Sequence, residues 1–364
     1  MSVANPPVQT EQQTTGPEPG VRVGPIGLAW RPRVLAMTVV ALVVAVVVAV
    51  LALGLGSAHL SPLDVLRTLA GHGEGAQEFI IMDVRLPRVL VALLVGVALS
   101  VAGALTQTFA RNPLATPDIL GVTSGASLGA VTVIAAAGGT SLAPVVANLG
   151  VPAAATAGAL VAAALVFALG WRGGLQSYRV VLVGIGITAV LDALTSYQLV
   201  RAKVTIATAA SQWLVGSLSG VSWQSVWPLL VVVVLAVPLA LACSRSVAAA
   251  QLGDEVAWGI GVHVTRLGVA VGLLAVVLSA GAVAAAGPVG FVAFVVPQIA
   301  VRIAGTSRPP LLLSALLGAA LVTGADLLGR ILLPNEVPVG IITTIVGAPY
   351  LIWLLVRHSR ELAS

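Results

Sequence analysis

The residues able to do chemistry are few and scattered. Two carboxylates, Asp192 and Asp326, stand inside apolar runs, where a charge is costly unless it is paired or protonated. Arg330 follows Asp326 by one helical turn and can pair with it locally. Asp192 is open to three readings: a paired structural group, a group on a transport path, or a contact at a subunit interface. The histidines, His59, His72, His263 and His358, fall in loops or tails, and none forms the i, i+4 pair of a helical metal site. The sole cysteine, Cys243, excludes an internal disulfide and a site built on several thiolates, and it reads as a small apolar packing residue. A phosphate-binding loop requires lysine before Ser or Thr. The only lysine, Lys203, precedes Val204, and the glycine pair Gly259 and Gly261 follows no strand pattern. No catalytic residue, no metal site and no cofactor is expected in this chain, and any ATP that powers it must bind a separate subunit.

Three polar stretches carry more information. Arg85-Leu86-Pro87-Arg88 opens an apolar run, and Pro87 suits a first helical turn, where its missing N–H costs nothing. Two arginines then flank the start of that helix. Between Arg111 and Gly121, Asn112, Pro113 and Pro117 end one helix and Asp118 can cap the next. From Leu252 to Val262, a short amphipathic piece carries Asp254 and Glu255 and stops at Gly259 and Gly261. Such a piece at a membrane surface is a natural docking element for a partner protein.

The elements that must position these groups are membrane spans. Of the 364 residues, 58% are hydrophobic and 9% charged, and the mean hydropathy is +1.06. A soluble domain carries about 25% charged residues, so lipid is the solvent here. A span needs about 20 mostly apolar residues. Ten runs qualify: 34–56, 87–109, 119–137, 151–170, 179–200, 225–243, 266–286, 288–304, 310–328 and 338–356. The runs 119–137 and 288–304 are short enough to be tilted, broken or partly re-entrant. Residues 1–30, rich in Pro, Gln, Thr and Gly, read as a disordered cytoplasmic tail, and 31–364 as the membrane domain. The first run is too long for the apolar core of a cleaved signal.

Basic residues set the orientation. With the N-terminus in the cytoplasm, the inner side holds Arg22, Arg31, Arg33, Arg111, Arg172, Arg179, Arg245, Arg266, Arg302, Arg308, Arg357 and Arg360. The outer side holds Arg67, Arg85, Arg88, Arg201, Lys203 and Arg330. That bias favours both termini inside. None of these groups forms a stripe that could track phosphates, so nucleic acid is not a partner. Gly96, Gly103, Gly121, Gly125 and Gly129 provide small-residue contacts for helix packing.

Taken in chain order, the polar motifs resemble the permease family of type II ABC importers (the FecCD type), which serves ferric siderophores, haem and cobalamin. The resemblance rests on Arg85-Leu86-Pro87-Arg88, Gly103 to Gln107, Arg111 to Ala115, Ile119-Leu120-Gly121, Trp213 to Leu218, Leu252 to Glu255, Ala286 to Phe291, Val296 to Arg302, Ala325-Asp326, and Pro338-Val339-Gly340 with Gly347-Ala348-Pro349. It implies an all-α permease of about ten transmembrane helices in the cytoplasmic membrane, paired with a second permease, identical or paralogous. Two cytoplasmic ATP-binding subunits and an extracytoplasmic substrate-binding protein would complete the importer. On this resemblance Leu252, Gly253, Asp254, Glu255, Val256, Ala257, Gly259 and Gly261 form a coupling helix against the ATPase, with Arg111, Asn112 and Pro113 as a second contact. Arg85, Arg88 and Arg330 would receive acidic groups of the binding protein. Gln298 stands where the family commonly has His, so a titrating role is not expected there. The implied cargo is a ferric siderophore, with haem or cobalamin as the runner-up; an ion-coupled carrier without ATP is the rival class.

Overall fold

Runs of Ala, Val, Leu and Gly offer the backbone no polar partner but itself, and helices follow. The computed structural model describes residues 20–23, 26–29, 31–56, 61–73, 75–137, 150–171, 177–332 and 336–363. Residues 1–19 of the expected tail, His59 and Arg172 lie outside the described residues. Near the start of the chain, β1 (Gly20–Val23) and β2 (Ile26–Ala29) pair antiparallel.

The helices in chain order are α1 (Pro32–Gly54), α2 (Pro62–Arg67), α3 (Gly75–Phe79), α4 (Leu86–Phe109), α5 (Val122–Ala137), α6 (Val151–Gly170) and α7 (Ser177–Arg201). There follow α8 (Val204–Leu214), α9 (Trp223–Ala250), α10 (Asp254–Gly259), α11 (Val264–Ala286), α12 (Val292–Ala304), α13 (Leu311–Ile331) and α14 (Val339–Ala363). Wider π turns at Thr68–His72 and Ile80–Arg85 connect α2 to α4, and a 3-10 turn at Pro117–Leu120 leads into α5.

Among the described residues, 7 helical stretches are long and apolar enough to cross a bilayer, and Val122–Ala137, Val292–Ala304 and Val339–Leu354 are shorter apolar helices. Together these account for the ten expected runs. The two runs that read as short are short for a visible reason. Gly121, in the left-handed region at φ 71°, separates the 3-10 turn from α5. Gly287 and Phe291, at φ 72° and 66°, hold residues 287–291 out of the helix before α12. The span expected to end at residue 243 instead continues to Ala250, despite Pro228 and Pro238 within α9. Helix α8 lies between the expected runs 179–200 and 225–243 and has no counterpart among the ten.

Helix α4 is central and packs on α9, α11, α12 and α13; Val91, Ala92, Val95, Ala98, Val101, Ala102 and Ala104 on it have no exposed surface. A second group of α5, α6 and α7 joins through α11 and α6. Lipid is as apolar as a core, so close backbone approach must hold these helices together. A Cβ at Gly96 would overlap the backbone of Gly318, and one at Gly103 the carbonyl of Ala293. Gly125 and Gly129 likewise seat α5 on Gly158 and Ala154 of α6. The glycine seam is therefore a packing contact within the chain.

Outward faces of α1 and α7 carry Leu35, Val39, Val43, Leu182, Ile185 and Val190, all exposed as lipid-facing side chains should be. Asp192 is exposed on α7. Among the described residues it forms no ion pair or hydrogen bond, so no partner for the paired role is found there.

Candidate functional site

Chemistry-bearing residues gather at the two ends of the helix bundle. At one end lie the C-terminus of α4, the C-terminus of α9 and the whole of α10. Gly253, at φ 112°, lets the chain turn sharply out of α9 into α10. Asp254 and Glu255 fill the first turn of α10, where the helix dipole favours negative charge. Gly261, at φ 84°, closes the far end, its N–H donating to the Trp258 carbonyl at 3.0 Å. Ala257 is fully buried and anchors the piece. Leu252, Val256, Trp258 and Ile260 point into solvent, each at least half exposed. Four large apolar side chains on about two turns, flanked by acids, make a protein-contact surface rather than a free loop.

The second stretch folds against the first. Arg111 takes a left-handed backbone, φ 50°, which breaks α4. Its Nη2 donates to Asp254 Oδ1 at 2.5 Å and to the Ala250 carbonyl at 2.5 Å. Asn112 Oδ1 accepts the Leu114 N–H at 2.9 Å, holding the loop around Pro113. Arg111, Asn112 and Pro113 are exposed beside α10. Thus the structure brings together the two stretches that the sequence treated separately. The Arg111–Asp254 pair is about half exposed, at 46% and 65%. It contributes at most about 1 kcal/mol to stability, and its effect is to fix where α10 sits.

At the other end stand Arg85, Arg88 and Arg330, each engaged by groups of this chain. None is a free outward guanidinium. Arg88 chelates Asp326, with Nη2 to Oδ1 at 2.9 Å and Nε to Oδ1 and Oδ2 at 3.0 and 3.2 Å. Its Nη1 also donates to Glu336 Oε2 at 3.0 Å. Arg330 Nε lies 3.1 Å from Asp326 Oδ2, the local pair that the four-residue spacing implied. That contact is an ion pair without hydrogen-bond alignment. Arg85 Nη1 donates to the carbonyls of Leu53 and Gly54 at 2.7 and 3.0 Å, and Arg330 Nη2 to that of Ala52 at 3.3 Å. These are the orphan carbonyls at the C-terminus of α1, where the dipole favours cations. The cluster ties α1, α4 and α13 together and leaves little of Arg85 or Arg330 for a docking protein. No spacing signal could have shown this, because Arg88 and Asp326 are 238 residues apart.

A buried polar pair between α4 and α12 was only partly foreseen. Pro297 has no N–H to offer the carbonyl four residues earlier. Gln107 on α4 comes to that point, its Nε2 donating to the Phe294 carbonyl at 3.0 Å and more weakly to that of Ala293 at 3.5 Å. Gln298 Nε2 donates to Gln107 Oε1 at 2.7 Å. Gln298 therefore acts by hydrogen bonding.

This is an all-α membrane permease with the fold of an ABC transporter subunit. The chain belongs to the FecCD transport family, whose profile matches residues 34–357. It is 38% identical over 307 residues, 84% of this chain and 91% of the relative, to the ferric enterobactin transport system permease protein FepG of Escherichia coli (strain K12). It is 41% identical over 321 residues, 87% of this chain and 90% of the relative, to the achromobactin transport system permease protein CbrC of Dickeya dadantii (strain 3937). A solved structure of a metal-chelate type ABC transporter, in an inward-facing conformation, superposes with a TM-score of 0.76 at 27% identity. That match covers 89% of this chain and 99% of the other.

Proposed function

We propose that this chain is the membrane subunit of an importer that carries a ferric siderophore across the cytoplasmic membrane, driven by ATP hydrolysed in partner subunits. The observation that carries this reading is the knob formed by Leu252 to Gly261, fixed by Arg111 and presenting Val256, Trp258 and Ile260 outward. Its apolar face flanked by acids suits insertion into a groove of a cytoplasmic ATP-binding subunit. Two such subunits would each take one knob, from this chain and from a second permease. The names of the relatives support a ferric chelate as cargo. Both termini lie in the cytoplasm in this reading, which places the Arg88–Asp326 end outside.

Nucleotide can move the spans only through contacts that differ between two states, and the knob is an acidic amphipathic turn on the cytoplasmic face of this reading. An extracytoplasmic binding protein completes the system. Docking on Arg85 and Arg330 has little geometric support, since the described donors serve α1 and Asp326; Arg88 is engaged by Asp326 and Glu336. The test is co-purification and uptake with Val256→Asp and Trp258→Asp. The ATP-binding subunits should be lost from the complex, and ATP-dependent uptake should fall at least about tenfold, in keeping with loss of central contact residues. Retained uptake in either variant removes the coupling assignment. Accumulation in proteoliposomes driven by an ion gradient, with no ATPase present, removes the importer reading itself.

A further inference from the structure

The C-terminus of α1 meets Arg85, so the start of α1 lies at the opposite end of the bundle, the end that carries α10. There it meets the loop between α12 and α13. Arg33 Nε donates to the Ile303 carbonyl at 2.9 Å, and its Nη1 lies against Gly305. Gly305, at φ 65°, ends α12 and turns the chain toward Arg308. That turn is held. The Thr306 N–H donates to the Val301 carbonyl at 3.1 Å, and Thr306 Oγ1 donates to the Arg308 carbonyl at 2.8 Å. Pro309 and Pro310 then stiffen the entry into α13. Arg33 and Arg308 are exposed side chains on this fixed corner.

No acid balances the corner. Neither α1 nor the stretch from Val292 to Ala325 contains Asp or Glu. No carboxylate among the described residues pairs with Arg33 or Arg308. Partial burial and the nearby Arg31 push the Arg308 guanidinium below its ordinary pKa, so like charges crowd here at a cost. Arg31 has an interaction of its own and is not counted as a ligand. Next to the corner the surface is apolar. Leu35 and Val39, one turn apart on α1, and Leu312 in the first turn of α13 are about half exposed. Guanidiniums at the helix ends, followed by exposed aliphatic side chains, match an anionic headgroup followed by its acyl chain. A soluble anion would use only the first of these features.

We propose that this corner binds an anionic phospholipid of the leaflet on the α10 side, its phosphate held by Arg33 and Arg308 and its acyl chain laid along Leu35 and Val39. Guanidinium and phosphate suit each other in geometry as well as charge. Such a lipid ties α1, which packs chiefly on α13 and turns most of its surface outward, to the α12–α13 loop. The site asks nothing of cargo or nucleotide, so it goes beyond the importer reading and is tested apart from it.

Native mass spectrometry of the full chain, titrated in detergent with phosphatidylglycerol or phosphatidylcholine, provides the test. The parent should bind phosphatidylglycerol about tenfold more tightly, as two basic groups near an anionic lipid imply. Arg33→Gln with Arg308→Gln should abolish that preference, and Arg33→Lys with Arg308→Lys should keep most of it. Arg179→Gln with Arg266→Gln removes two cations from the starts of α7 and α11 and should leave it intact. In nanodiscs, replacing phosphatidylcholine by phosphatidylglycerol should raise the melting temperature of the parent, and inorganic phosphate should not. Equal binding of the two lipids by the parent, an undiminished preference in the Arg33→Gln, Arg308→Gln variant, or an equal loss in the Arg179→Gln, Arg266→Gln variant overturns the site. Displacement of the lipid by inorganic phosphate overturns the choice of a lipid over a soluble anion.

Discussion

Asp326 shares its two carboxylate oxygens between Arg88 and Arg330, and that sharing is what makes a charge tolerable at this depth. Removing it leaves two buried guanidiniums facing each other, a far worse state than an apolar pair of the same shape. Asp326→Ala should cost about 3–5 kcal/mol, read as a drop in the thermal unfolding temperature of the detergent-solubilised chain. An unchanged temperature would mean that water or lipid headgroups already satisfy these arginines. Gln107 works by the same logic without charge. Gln107→Leu strands the Gln298 side-chain amide and the Ala293 carbonyl that Pro297 leaves without an N–H, at about 1–3 kcal/mol for an unsatisfied buried group, whereas Gln107→Glu can still accept from Gln298. The same thermal melts should therefore show Leu as the more damaging change unless the carboxylate is ionised there.

Helix contacts in this protein are set by what is missing from the side chains. Gly103 permits α4 to touch the Ala293 carbonyl at the start of α12, and Gly125 permits α5 to touch Gly158 of α6. Gly103→Val must push α12 away or bend it, and overpacking of this kind costs about 1–3 kcal/mol. Gly186, with open space around it, is the matched control, and Gly186→Ala should leave the melting temperature near that of the parent. Equal losses at both positions would show that helix propensity matters here and close packing does not. The broken start of α12 belongs to the same scale. Phe291 holds a left-handed backbone that favours glycine, and it does so with its side chain packed against Gly347 of α14.

Across the whole molecule, polar groups divide between two ends with an apolar middle. The Arg111–Asp254 pair and the Arg88–Asp326 cluster lie at opposite ends of α4, so they must face opposite sides of the bilayer. In a Cys243→Ser background, Glu255→Cys should react with an impermeant maleimide only from the cytoplasmic side, and Ser222→Cys only from the outer side. The mirror pattern would invert the orientation while leaving the helix packing intact. Labelling of both from one side would contradict the fold.

Composition and run length, which are local, already determined that lipid is the solvent, that about ten helices cross it, and that no nucleotide loop is present. The backbone must satisfy itself wherever about 20 apolar residues follow one another, and a phosphate loop is a contiguous motif that the lone Lys203 cannot complete. The stretch from Leu252 to Gly261 was legible for the same reason, since its acids, apolar residues and glycines are neighbours in sequence. Only tertiary structure decided that Arg111 grips Asp254, that Arg85 and Arg330 turn toward the end of α1, and that Arg88 meets both Asp326 and Glu336. Those facts depend on which helix ends meet, and helix meeting is set by close approach at glycines far apart in the chain. A charged side chain reads the same in sequence whether its partner is a binding protein or a carboxylate 238 residues away.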